Sequence, residues 1–327
     1  MRPKRARSGA IDLLRIVGIV AVVSGHVWDT EQFRAVIHPW HVPLFFILTG
    51  YLWNPSRTLK DEFLTRFRTL AIPYAAWLII IGGVFWTVLL LTKEFWIGAV
   101  VTPIYGGAFA VRPFSAFWFI SALFFAALIY RAIFRLPAVA QWVIAVILVT
   151  AAYVASDLLA LAPLALGSAA ASVIFLLIGS SIRRFRHVFT RPYITALLLL
   201  ASSIVLVTTG LSSPVNIKVA DFGTPVVSVV VASAISLALI LVFETFVPLL
   251  GATFSAVVTR IALGGMMVIL THAAVLLLLD TPASGRWLDF VVALVVPWII
   301  AVFILRLRVS PILTGAPQQG RLTHSLK

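Results

Sequence analysis

Apolar positions along this chain do not alternate, and they do not fall into the narrow stripes of a soluble helix bundle. They come in ten long runs, at about 11–29, 36–54, 70–92, 114–134, 140–157, 162–182, 193–211, 224–248, 261–280 and 287–306. Each run is about the length that an α-helix needs to cross a bilayer. Only helices and closed barrels satisfy their backbone hydrogen bonds in lipid, and runs this long exclude barrel strands. The pattern therefore predicts an all-α polytopic integral membrane protein, one bundle of about ten transmembrane helices over residues 1–309. The remainder, 310–327, is polar and contains Pro and Gly, which predicts a disordered cytoplasmic tail. Two connections stand out. Residues 55–69 place Leu59, Phe63 and Phe67 four apart, the mark of an amphipathic helix on a membrane surface. Residues 92–113 are too apolar for a solvated loop, and Pro103 with Gly106 and Gly107 argues against a regular spanning helix. An interfacial or re-entrant cover is expected there.

Composition agrees. The 327 residues are 61% hydrophobic, and the mean hydropathy is +1.09. Soluble domains use roughly 45–50% apolar residues. No cysteine is present, so disulfides, thiol nucleophiles and thiolate metal sites are excluded. The start MRPKRAR leads into an apolar run without a small-residue cleavage pattern, so no cleavable leader is expected. The formal net charge of +14 would suggest nucleic-acid binding in a soluble protein. In a membrane chain it suggests positive-inside topology and attraction to anionic lipids, with no nucleic-acid partner. With both termini in the cytoplasm, the basic residues before 11 and within 57–68, 131–135, 183–191 and 306–327 all fall inside. Only Arg34, Lys93, Arg112, Lys218 and Arg286 fall outside.

Against this apolar background a few polar residues matter, because ionisable groups at membrane depth are costly. Asp12, Arg15 and His26 lie in the first run. At 100° per residue, Arg15 and His26 differ by about 20° and Asp12 sits about 60° from Arg15, so all three share one face. Along the axis Arg15 and His26 are roughly 16 Å apart. Asp29 stands three residues after His26, within reach of its imidazole. His38 and His41 open the second run, with Pro43 where a missing N–H costs little. Histidines at this depth can act as general base on a hydroxyl, relay protons or bind a metal. No inward carboxylate completes a metal set, so no metal is expected. Further candidates are Arg112 and Trp118, as holders of an acceptor, and His272 near the middle of the ninth run. No nucleophile elbow, phosphate loop or HExxH pattern is present.

The order of these motifs resembles the membrane acyltransferase 3 family, and within it the fucose 4-O-acetylase-like branch. The pieces are IDLLR at 11–15, GH at 25–26, HVPLFFILTGYL at 41–52 and RFRTLAIPY at 66–74. FWFISALFF at 117–125 and ILTHAAVLL at 269–277 follow. The resemblance implies an O-acyltransferase of a bacterial-type plasma membrane. It would move an acyl group, often acetyl, from cytoplasmic acyl-CoA to a hydroxyl of a sugar, glycan or lipid-linked acceptor. Acyl-CoA is then a donor substrate, and no cofactor is held. By the same resemblance His26 is the catalytic base and His41 a second site histidine. Arg15 with Asp12 beside it, Arg66 and Arg68 serve the donor, while Arg112, Trp118 and His272 stand as substrate-side candidates on their own positions. Arg66 and Arg68 are two apart, where other branches carry arginines three apart. The rival expectation is a proton-coupled exporter of a glycan or lipid precursor. The lack of internal repeats and the few acidic residues weigh against it.

Overall fold

The computed structural model describes residues 9–319. Among them the chain is all-helical, without a β-strand. The N-terminal basic residues before 9, Arg321 and Lys327 lie outside the described residues.

Helix α1 (Gly9–Val27) is the axis of the bundle. A turn leads to the short α2 (Glu31–Ile37), capped by the Thr30 side chain. Helix α3 (His41–Tyr51) follows, and every residue in it except Thr49 is buried. A helix that is apolar all round has to be enclosed on every side, and α3 packs on α1, α10 (Val173–Phe185) and α12 (Val227–Phe246). Its 11 residues span only about 16 Å. The second apolar run is therefore a buried central helix with a bent approach rather than one full-length helix. Two glycines explain how α3 and α10 come so close. A Cβ on Gly50 would lie 1.9 Å from the Leu176 carbonyl oxygen, and one on Gly179 2.0 Å from the Ile47 carbonyl oxygen. Close backbone approach at small residues is the usual way helices associate where no hydrophobic drive operates.

Thr58 and Asp61 form a capping box at the start of α4 (Leu59–Arg66). Leu59, Phe63 and Phe67 form its exposed apolar stripe, as expected, while Glu62 faces the protein and is buried. One π-helical turn, Phe67–Ala71, joins α4 to α5 (Ile72–Leu91). The connection 92–113 contains α6 (Gly98–Tyr105) and a 3-10 turn, Gly107–Phe109, and Ala99 accepts a bond from Trp86 Nε1 of α5. Helices α7 (Phe117–Ile133) and α8 (Ala138–Ala160) lead to α9 (Leu166–Ala171), which meets α10 at a bend of 47°. The sixth run is thus a broken helix. After α10 come α11 (Pro192–Thr208), α12, α13 (Gly251–Ala262), α14 (Gly265–Leu278) and α15 (Trp287–Ile304).

Among the described residues five helices are long and apolar enough to cross a membrane, six if the bent pair counts as one. Three further apolar helices, Phe117–Ile133, Pro192–Thr208 and Gly265–Leu278, are shorter. The expected disordered tail is corrected in part. Residues 310–319 begin with α16 (Ser310–Leu313), whose Leu313 carbonyl accepts from Trp77 Nε1 at 2.8 Å. Ser310 is fully buried and donates to the Ala316 carbonyl.

Candidate functional site

Helix α1 carries a polar group near each end. At one end Arg15 donates to Asp12 at 3.0 Å, across one turn. Asp12 is buried, and the Arg15 side chain stays 34% exposed. The other end carries His26. The shared face read from the helical periodicity is therefore built as two separate clusters, with the apolar body of α1 between them.

At the histidine end, the rings of His26 and His272 of α14 lie 4.9 Å apart, edge to face at 61°. His272 is fully buried. Its Nδ1 lies 2.9 Å from the Val268 carbonyl oxygen. A carbonyl only accepts, so Nδ1 carries the hydrogen and Nε2 is left as an acceptor. Nε2 is buried and has no hydrogen-bond partner among the described residues. His41 is arranged alike. Its Nδ1 donates to the Ile37 carbonyl at 2.7 Å, and its ring lies 5.2 Å from that of His38. The helical backbone one turn upstream thus fixes the tautomer of both histidines. His26 lies within electrostatic range of His272, His41, Lys218 and Arg112.

Arg112 makes the contact that holds this end together. Its Nη2 donates to the His26 carbonyl at 2.7 Å and its Nη1 to the Thr281 carbonyl at 3.0 Å. The first is one of the carbonyls a helix C-terminus leaves unpaired. The second follows α14. One guanidinium therefore ties the helix of His26 to the helix of His272. Asp29 does not turn back to the imidazole as its spacing allowed. Its carboxylate takes Arg34 Nε at 2.7 Å, and that hydrogen bond lowers its pKa below the usual range. Trp118 is buried in the core with its ring edge-on to Phe119 at 6.2 Å. Among the described residues no hydrogen bond or ring contact joins it to the histidines, so it offers no open platform for a sugar.

The arginine end holds two networks that sequence reasoning missed. Glu62, 1% exposed, receives Arg66 at 2.8 Å, Arg131 of α7 at 3.1 Å and Arg57 at 3.5 Å. Arg131 also donates to the Asn54 carbonyl and lies 4.2 Å from the centre of the Trp53 ring. Arg66 is therefore committed to an internal ion pair. Arg68, in the π-helical turn, is exposed beside Asp61, Leu64, Thr65 and Thr69. The two expected donor contacts thus part company. In the second network Tyr51 donates to Glu244 at 2.7 Å, and Arg186 reaches the other oxygen of that carboxylate at 3.0 Å. An isolated Glu near a helix end gives no local sign of such partners.

A family model described as an acyltransferase domain matches residues 8–313, from α1 through α16. The chain belongs to the acyltransferase 3 family. No curated protein and no solved structure gave a significant match. Membership together with the apolar helices makes this acyltransferase 3 chain a membrane protein, and it does not favour the exporter reading. Both clusters of α1, the Arg112 tie and His272 fall inside the matched range.

Proposed function

We propose that this acyltransferase 3 chain is an O-acyltransferase that moves an acetyl or similar acyl group from acyl-CoA to a hydroxyl of a sugar, glycan or lipid-linked acceptor. The motifs in its first 125 residues fit the fucose 4-O-acetylase-like branch. In this reading all ten apolar stretches cross a bacterial-type plasma membrane, with termini, α4 and the arginine end of α1 in the cytoplasm, as the excess of basic residues on that side favours. Acyl-CoA enters there. Its phosphates meet exposed Arg68 and the partly exposed Arg15, paired donors of the kind suited to phosphate.

The observation that carries the reading is the His26–His272 pair. His272 packs edge to face on His26 and brings an unpartnered, unprotonated Nε2 to its surroundings, where that lone pair favours the positive charge the His26 ring gains. His41 shapes the acceptor side with the same tautomer. His26 takes the proton from the acceptor hydroxyl. The oxygen attacks the thioester carbonyl, the C–S bond breaks, and the CoA thiolate takes the proton back from His26. The products are the O-acyl ester and free CoA, and no enzyme-bound acyl group is needed.

The test is radiolabelled acetyl-CoA with purified protein in lipid nanodiscs and a panel of glycans. Replacing His26 with Ala is expected to lower CoA release and acceptor labelling by about a hundredfold or more, with the thermal transition kept. Full activity in that variant would end the assignment. His272→Gln is expected to reduce the rate without changing the donor KM.

A further inference from the structure

The connection between α11 and α12 is built as a fixed turn, and one of its side chains reaches the segment that carries Arg112. Asn216 and Asp221 form an antiparallel bridge around the 3-10 turn Ile217–Val219. Ile217 and Phe222 are each 1% exposed, and Phe222 stacks on Phe175 of α10 at 5.9 Å. Between these two apolar anchors stands Lys218.

Lys218 is partly buried, and its Nζ donates to the Ala110 carbonyl at 2.6 Å. Ala110 is two residues before Arg112, which holds the His26 carbonyl. Two polar contacts along one short segment thus bring Lys218 to the surroundings of His26. An ammonium has three donors. Among the described residues no carboxylate oxygen lies within 4.0 Å of Lys218. The acids nearest in the fold make other contacts, two of them ion pairs and one a backbone bond. Asp29 pairs with Arg34, Asp289 pairs with Arg286 and Thr281, and Asp221 accepts from the Gly223 amide. Desolvation lowers the pKa of the Lys218 ammonium. A cation taken partly out of water without a counter-ion is costly unless something negative arrives.

We propose that Lys218 is a specificity residue for the acceptor, receiving a negatively charged group, carboxylate or phosphate, carried on the molecule whose hydroxyl His26 deprotonates. This rests on the acyl-transfer reading above. The anion fills the unused donors of Lys218, and the acceptor is thereby held with its hydroxyl near His26.

The test measures CoA release by the full chain in nanodiscs with three acceptors: methyl glucuronide, a hexose phosphate and neutral methyl glucoside. His26→Ala is the control for acyl transfer. The wild type is expected to prefer one or both charged acceptors, and which of them identifies the anion. Lys218→Met is expected to remove that preference by raising the charged acceptor's KM about tenfold. Its kcat, and its activity on the neutral acceptor, should hold. Lys218→Arg should keep the preference. His26-dependent release without preference for charge overturns the inference alone. So does an equal fall in kcat on all three acceptors in Lys218→Met, the mark of a structural or oxyanion role. Absence of His26-dependent release with every acceptor overturns the acyl-transfer reading and this inference with it.

Discussion

Replacing Glu62 with Gln asks whether the arginines beside it serve the fold or the donor. The substitution keeps size and removes the charge that Arg66, Arg131 and Arg57 share. Their side chains are 19%, 3% and 36% exposed. Arg57 contributes little, since half-exposed pairs are worth about 0–1 kcal/mol. Arg131 decides the magnitude. Breaking a buried pair by removing one partner costs about 3–5 kcal/mol. Arg131 keeps the Asn54 carbonyl at 2.6 Å and the Trp53 ring at 4.2 Å. The expected loss is therefore at the low end, about 3 kcal/mol. Reversible unfolding in mixed micelles, titrated with SDS, measures it. Arg131→Met and the double variant complete a cycle. The double variant is expected to cost less than the sum of the singles by about 1–3 kcal/mol, because no buried guanidinium then faces an uncharged amide across α4 and α7. Strict additivity, or a loss below about 1 kcal/mol for Glu62→Gln, would refute the buried hub.

Gly50→Ala drives a methyl into the Leu176 carbonyl, which lies 1.9 Å from its Cβ, so α3 and α10 must separate. A loss of at least about 1–3 kcal/mol is expected in the same unfolding assay, and a neutral result would disprove the close contact. Arg68→Ala is expected to raise the acyl-CoA KM about tenfold while stability stays within about 0.5 kcal/mol. Arg66→Met should do the reverse, and equal KM effects in both would restore Arg66 as a donor contact.

Much of the helical plan was legible because membrane depth writes a long, simple signal. Every apolar stretch contains a helix, and Pro43 falls in the first turn of α3, where its missing N–H costs little. What the pattern could not tell was which apolar residues face lipid and which face protein, because both are apolar. Helix α3 is enclosed on all sides, whereas α5 buries only Pro73 and Gly82, yet both read as hydrophobic runs. The difference lies in the glycines that admit α10, and a glycine reveals its purpose only when its neighbour is known. Helix α13 escaped for the opposite reason. Its Ser, Thr and Arg260 dilute the apolar signal, and it lies against the start of α1, where Gly9 meets Ser255.

The candidate site was legible wherever its logic is local. Arg15 pairs with Asp12 one turn away, and the shared face of α1 follows from periodicity alone. Apart from His41, what gives His26 a chemical setting comes from far along the chain: Arg112 on its carbonyl, His272 against its ring, and Lys218 on the segment that carries Arg112. Local spacing even offered the wrong partner. Asp29 stands three residues from His26, but α1 has ended and α2 begins there, so Arg34 of the new helix captures the carboxylate first. Among the described residues the histidine is left without a carboxylate partner, with Arg112 on its backbone carbonyl and Lys218 within electrostatic range. On the acyl-transfer proposal, negative charge at this end is left to be brought by the substrate.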